Sequence, residues 1–160
     1  MNTGVMEDIV PEREGGGYTF AISPDENSIV YVDQRETPLV LRWRDLLTTT
    51  ERVLLTFDEK ILDAGAFGWS PKMDKMVLMG LEVQNPGHTD GSQKFFYSIL
   101  VINLDNPQTY RVVEGIDRWL KFSSWNEQDQ VFYTDWENTI WQVDLKSNTL
   151  AAKGTATPYP

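Results

Sequence analysis

Apolar and polar side chains alternate with period two in short runs along this chain, and the runs recur. Three 14-residue segments align without a gap: FAISPDENSIVYVD from Phe20 to Asp33, FGWSPKMDKMVLMG from Phe67 to Gly80, and FSSWNEQDQVFYTD from Phe122 to Asp135. In each, an apolar strand ends at Ser23-Pro24, Ser70-Pro71 or, in the third copy, Trp125-Asn126. A polar turn follows, holding Asn27, Asp74 or Asp129. Apolar residues then return at alternate positions: Ile29 and Tyr31, Met76 and Leu78, Val131 and Tyr133. Two alternating runs about a polar turn predict a β-hairpin. Proline just after the first strand sits where a missing N–H does least harm.

The repeat continues downstream. A third strand closes on an acidic residue, Asp45, Asp105 or Asp144, and a fourth short strand follows over 52–57, 110–113 and 149–153. The aligned phenylalanines lie 47 and then 55 residues apart, and the surplus falls in one Gly- and Asn-rich loop, Gln84–Lys94. Four short antiparallel strands repeating every 40–55 residues mark a β-propeller. The expected fold is all-β with little or no helix: a partial propeller of three four-stranded antiparallel blades at about 18–58, 61–115 and 117–155. An N-terminal arm covers 1–17, with an extra short strand expected around Met6–Val10, and a tail covers 156–160. A β-sandwich also has short alternating strands. The internal repeat, kept in register, favours the propeller.

The run of apolar strand, Ser-Pro-Asp, two residues, apolar strand, then a third strand closing in Asp-Leu, resembles the TolB-like propeller repeat. That repeat also occurs in the propeller domains of prolyl oligopeptidase-type peptidases. The first blade carries it best, as Ile22–Val32. The second has Lys72 where Asp is usual, and the third keeps only the closing Asp144-Leu145. The resemblance implies a ring of six to eight blades used for binding, docking partner proteins in TolB-like proteins and gating a hydrolase domain in the peptidases. It also implies a periplasmic or extracellular setting, if a leader has been removed. No Gly-x-Ser-x-Gly elbow is present, so peptidase activity does not carry over.

Three blades span only half of a six-bladed circle, and a propeller that does not close exposes edges and flat faces. Two copies joined head to tail would close the ring, and this homodimer is the expected state. Blades from a different chain, or from a longer product of which this is a segment, are the alternatives.

The 160 residues carry a formal net charge of −10. That sign disfavours nucleic acid and anionic membrane surfaces and suits a basic partner. No run approaches a membrane span, and residues 1–17 lack the apolar core of a signal peptide. The absence of cysteine removes disulfides, thiolate metal sites and a Cys nucleophile. A lone His88 cannot build a histidine zinc site, and His88–Gly91 offers one Asp where a calcium loop needs several. No catalytic residue, metal site or cofactor is expected.

The connections before first strands and after second strands fall at one end of a propeller, where loops converge and fields focus. Acidic residues recur there. Asp63 and Asp117 are expected to precede first strands; Asp33 and Asp135 follow second strands. Either they form a charged opening, or they cap turns through side-chain-to-backbone bonds. Trp119 and Trp136 lie at the same end, with His88 in the long rim loop. The expected function is non-enzymatic binding of a protein or peptide, through Asp33, Asp63, Asp117, Asp135, Trp119, Trp136 and His88. Two alternatives remain open: a carbohydrate-binding or glycoside-active propeller, with a Trp as platform and two carboxylates as acid and base, and a structural half-ring whose blade faces are its function.

Overall fold

A computed structural model describes residues 19–84 and 93–155. The arm, His88 with most of its loop, and the last five residues lie outside the described residues. The described chain has twelve strands and no helix, in three four-stranded antiparallel sheets. Blade one holds β1 (Phe20–Ile22), β2 (Ser28–Asp33), β3 (Val40–Asp45) and β4 (Glu51–Thr56). Blade two holds β5 (Ile61–Trp69), β6 (Lys75–Gln84), β7 (Lys94–Asn103) and β8 (Gln108–Ile116). Blade three holds β9 (Lys121–Trp125), β10 (Gln130–Thr134), β11 (Thr139–Asp144) and β12 (Thr149–Thr155). Strands pair in chain order within each blade. The first strands β1, β5 and β9 are neighbours across blades, as around a propeller axis.

Blade two explains why the alternation there is apolar on apolar. Met76, Leu78, Leu100 and Ile102 face blade one, and Val77, Met79, Ile99 and Val101 face blade three. The first set meets Val30, Val32 and Leu41; the second meets Trp125, Val131, Tyr133 and Val143. Both faces of the middle sheet are therefore dry, and the hydrophobic effect holds the three sheets together through two flat cores. Trp43, Trp69 and Trp141 pack at the margins of these cores.

The two outward faces are built differently. Opposite Tyr31 and Ile29 in blade one stand Arg42 and Arg44. The same places hold Leu100 and Ile102 in blade two, and Trp141 and Val143 in blade three. On the free side of blade three, Thr134 and Gln142 occupy the places of Met79 and Val101.

Three expectations change. Trp125-Asn126 does not stand in for Ser-Pro position by position. The Ser23 and Ser70 hydroxyls accept the N–H groups of Ser28 and Lys75, at 2.9 and 3.0 Å. In blade three the Asn126 side-chain oxygen does this, accepting Gln130 N at 3.0 Å. Asn126 therefore takes the place of the serine; the turn is one residue shorter, and a bulge between β9 and β10 restores the register. Second, Asn103 rather than Asp105 closes the third strand of blade two. It lies opposite Lys75, as Asp45 lies opposite Ser28 and Asp144 opposite Gln130. Its carboxamide oxygen accepts a turn N–H as the two carboxylates do. Third, β5 begins at Ile61, so Asp63 lies inside a strand rather than before one.

Gly68 in β5 lies under the ring of Phe122 in β9, which meets Tyr133 edge-on with centroids 6.0 Å apart. A Cβ at position 68 would run into that ring. Gly68→Ala is expected to cost about 1–3 kcal/mol of stability through overpacking of the inner joint. The cost should shrink in a Phe122→Ala background, where the ring is gone. Urea denaturation of the four proteins checks this; equal costs in both backgrounds would place the strain elsewhere.

Candidate functional site

Asp33 and Asp135 hold equivalent positions, and the structure gives them equivalent tasks. Both are buried. Asp33 Oδ1 accepts Arg35 N at 3.2 Å, and Asp135 Oδ1 accepts Glu137 N and Thr139 N, both at 2.9 Å. Each also takes a side-chain donor from the next strand: Arg42 Nε reaches Asp33 Oδ2 at 3.0 Å, and Trp141 Nε1 reaches Asp135 Oδ2 at 2.9 Å. These carboxylates fasten the turn between second and third strands. Blade two has Gly80 at this position.

The surroundings set their ionisation. The Arg35 guanidinium, 2.7 Å from Asp33 Oδ2, pulls the Asp33 carboxyl down to about 2. Arg42 adds to this, while also bonding Glu36 and Glu51. Burial pushes Asp135 up, but hydrogen bonds from Trp141, Thr139 and Glu137 outweigh it and hold the group below the ordinary carboxylate range. The Arg118 guanidinium, 2.9 Å away, lowers Asp117. Asp63 bonds Gln34 Nε2 at 2.6 Å, tying blade two to the turn after β2.

A hollow of about 750 Å³ opens where blade two meets blade three. Asp117, Trp119, Asp135 and Trp136 line it together. Asp33 and Asp63 do not line it, and His88 lies outside the described residues. Trp136 is 82% exposed at the tip of the 135–138 turn, whose two ends Asp135 grips. Trp119 is 42% exposed and meets Tyr97 of β7 edge-on, at 5.5 Å between centroids. Arg118 sits between Asp117, Asp135 at 3.6 Å and the face of Trp141 at 5.7 Å. Lys121, at the start of β9, adds an exposed cation.

Sequence reasoning did not single out Tyr97, Arg118, Lys121, Thr134 or Asn138, which complete the lining. Tyr97 reads as an ordinary strand residue. Asn138, with φ of 59°, carried a usable signal as the left-handed residue of a four-residue turn. Among the described residues no three acidic or histidine side chains converge as a metal site, and no helix is long and apolar enough to cross a membrane.

No family model matches the chain, and no curated protein matches its sequence. Solved structures do match. TolB from Acinetobacter baumannii is similar at 18% identity and a TM-score of 0.59, over 84% of this chain and 31% of that one. An oligogalacturonate lyase from Vibrio parahaemolyticus is similar at 18% identity and 0.59, over 87% and 41%. Pyrococcus horikoshii acylaminoacyl peptidase is similar at 11% identity and 0.60, over 84% and 24%. The chain has a TolB-like propeller fold. It spans less than half the length of each of these three proteins.

The buried Asp33 supplies a pH prediction. Its folded pKa of about 2 lies below the ~3.9 of an unfolded Asp. Its stabilisation is therefore complete above about pH 4 and drains away as pH falls toward 2. Asp33→Asn is expected to flatten that part of the acid limb. Thermal midpoints measured from about pH 5 down to about pH 2 should fall less steeply for the variant than for the wild type. Parallel curves would mean that other carboxylates carry the acid sensitivity.

Proposed function

We propose that the chain is a non-enzymatic module that binds a protein or peptide in the hollow between blades two and three. The observation that carries this reading is Trp136. An indole held 82% in solvent by a turn that its neighbour Asp135 fastens at both ends is poorly placed for packing and well placed as an anchor. Exposed aromatics beside half-buried ones recur at the centres of protein interfaces, where burial on binding supplies most of the energy. Trp119 and Tyr97 form the opposite wall. The lining sets Asp117 and Asp135 against Arg118 and Lys121, so charge selects neither sign of partner and the aromatic side chains carry the reading.

The same indole face suits a sugar ring. A glycosidase is less well supported. Asp117 and Asp135 are both held below the ordinary carboxylate range, whereas a glycosidase acid needs a raised pKa. Binding without turnover is the form of the carbohydrate reading that the site supports.

A peptide library selected against the whole chain tests the lead reading. Selected peptides are expected to bind Trp136→Ala about 30-fold or more weakly, the loss of about 2 kcal/mol typical of an anchor. Trp136→Ala should unfold within about 0.5 kcal/mol of the wild type, since the side chain touches little. Peptides that bind both proteins equally would remove the hollow from the interface. An empty selection beside hits on a glycan array would move the site to the carbohydrate reading.

A further inference from the structure

Blades two and three each offer four side chains of the first two strands to the blade before. In blade two these are Phe67, Trp69, Met76 and Leu78, packed into the core shared with blade one. In blade three they are Phe122, Trp125, Val131 and Tyr133, packed into the core shared with blade two. Strand pairing puts Phe20, Ile22, Ile29 and Tyr31 at the same places in blade one. Ile22 lies opposite Ile29 as Trp69 lies opposite Met76 and Trp125 opposite Val131, and Phe20 lies opposite Tyr31 as Phe122 lies opposite Tyr133. None of these four belongs to either core. Ile29 and Tyr31 are buried, whereas Phe20 and Ile22 are 49% and 50% exposed. Blade one therefore carries one half of a joint whose other half no described strand supplies.

The other half of each internal joint has a small residue where the phenylalanine arrives. Gly68 of blade two lies under the ring of Phe122. Ala21 of blade one, opposite Val30 as Gly68 is opposite Val77, packs against the core that holds Phe67. The same place in blade three, opposite Phe132, is Ser124, and it is exposed. Phe132 and Ile140 share that free face, in the places where Val77 and Ile99 of blade two fill the core with blade three. We propose that a second copy of the chain packs its blade three on blade one, head to tail, with Phe20 of each copy seated over Ser124 of the other. Blade one has the ring without a seat, and blade three has the seat without a ring. Two blade-one faces meeting each other would set Phe20 against residues as large as Ile22 and Tyr31, with nothing small to receive it. Two equal head-to-tail joints close on themselves and leave no face over. Polar side chains occupy part of the joint on both sides: Arg42, bound to Asp33, Glu36 and Glu51, and Arg44 on blade one, Thr134 and Gln142 on blade three. The apolar side chains of the first two strands supply the dry contact.

Light scattering over a wide range of concentration reads the association of the full chain. The wild type is expected to reach twice the chain mass. Phe20→Ala removes the ring and Ser124→Trp fills the seat, and each is expected to weaken association about tenfold or more. Both positions are exposed, so the diluted variants should keep the wild-type circular dichroism. The cysteine-free chain allows a second reading. Phe20→Cys and Ser124→Cys proteins, treated with a short bifunctional thiol reagent, should be joined when mixed and not when kept apart. A wild-type mass of one chain at every concentration would overturn the proposal, as would assembly beyond two copies or a dimer untouched by both substitutions. Joining in either unmixed sample, or none in the mixture, would overturn it as well.

Discussion

Everything in this chain depends on one sheet being apolar on both sides. Blade two has no face to spare for water: Met76 and Leu78 alternate with Val77 and Met79, and each set fills a different core. Hydrophobic burial has no direction of its own. It gains one here because a flat sheet offers only two surfaces, so its neighbours must lie one on each side. The neighbours then order the inner strands β1, β5 and β9 side by side, and that alignment opens the hollow between blades two and three.

The outer blades depart from this rule where they leave the stack. Arg42 and Arg44 replace the apolar pairs of the other blades, and Thr134 and Gln142 do so at the opposite side. Repeat proteins give terminal units a polar outer face for the same reason: a dry face without a neighbour associates indiscriminately. Both terminal faces are mixed: Phe132 and Ile140 stand beside Thr134 and Gln142 on blade three, and Ile29 and Tyr31 beside Arg44 and Arg42 on blade one.

Much of the fold was legible in the sequence because hairpin signals are local. Alternation, Ser-Pro at the strand end and Asn or Asp in the turn placed twelve strands in three sheets. The misplacements arose where one atom type substitutes for another. An amide oxygen caps as a hydroxyl does, so Asn126 reads as a gap filler while acting as a serine, and Asn103 hides behind the more conspicuous Asp105. The candidate site was legible in part. Trp119 and Trp136 sit in loops, where an aromatic is out of place, and they share one hollow with Asp117 and Asp135. The recurrence of Asp33 and Asp135 pointed equally to a charged opening and to turn capping, and only the geometry shows how fully their oxygens are engaged. Tyr97 was invisible because nothing local tells which strand residue a neighbouring blade will leave uncovered.

The short turn of blade three also bears on how such a repeat can change. A strand has two sides, and removing one residue exchanges them for everything beyond the cut. Here the lost residue at the turn is matched by an extra one in the bulge opposite Phe132 and Tyr133, so the inward and outward sets are unchanged on either side of the pair. A bulge can also absorb an extra residue by itself, as between Gly65 and Gly68 of β5, beside a turn of ordinary length. Divergence between blades can therefore run far in letters while the sheet keeps the same even-and-odd count.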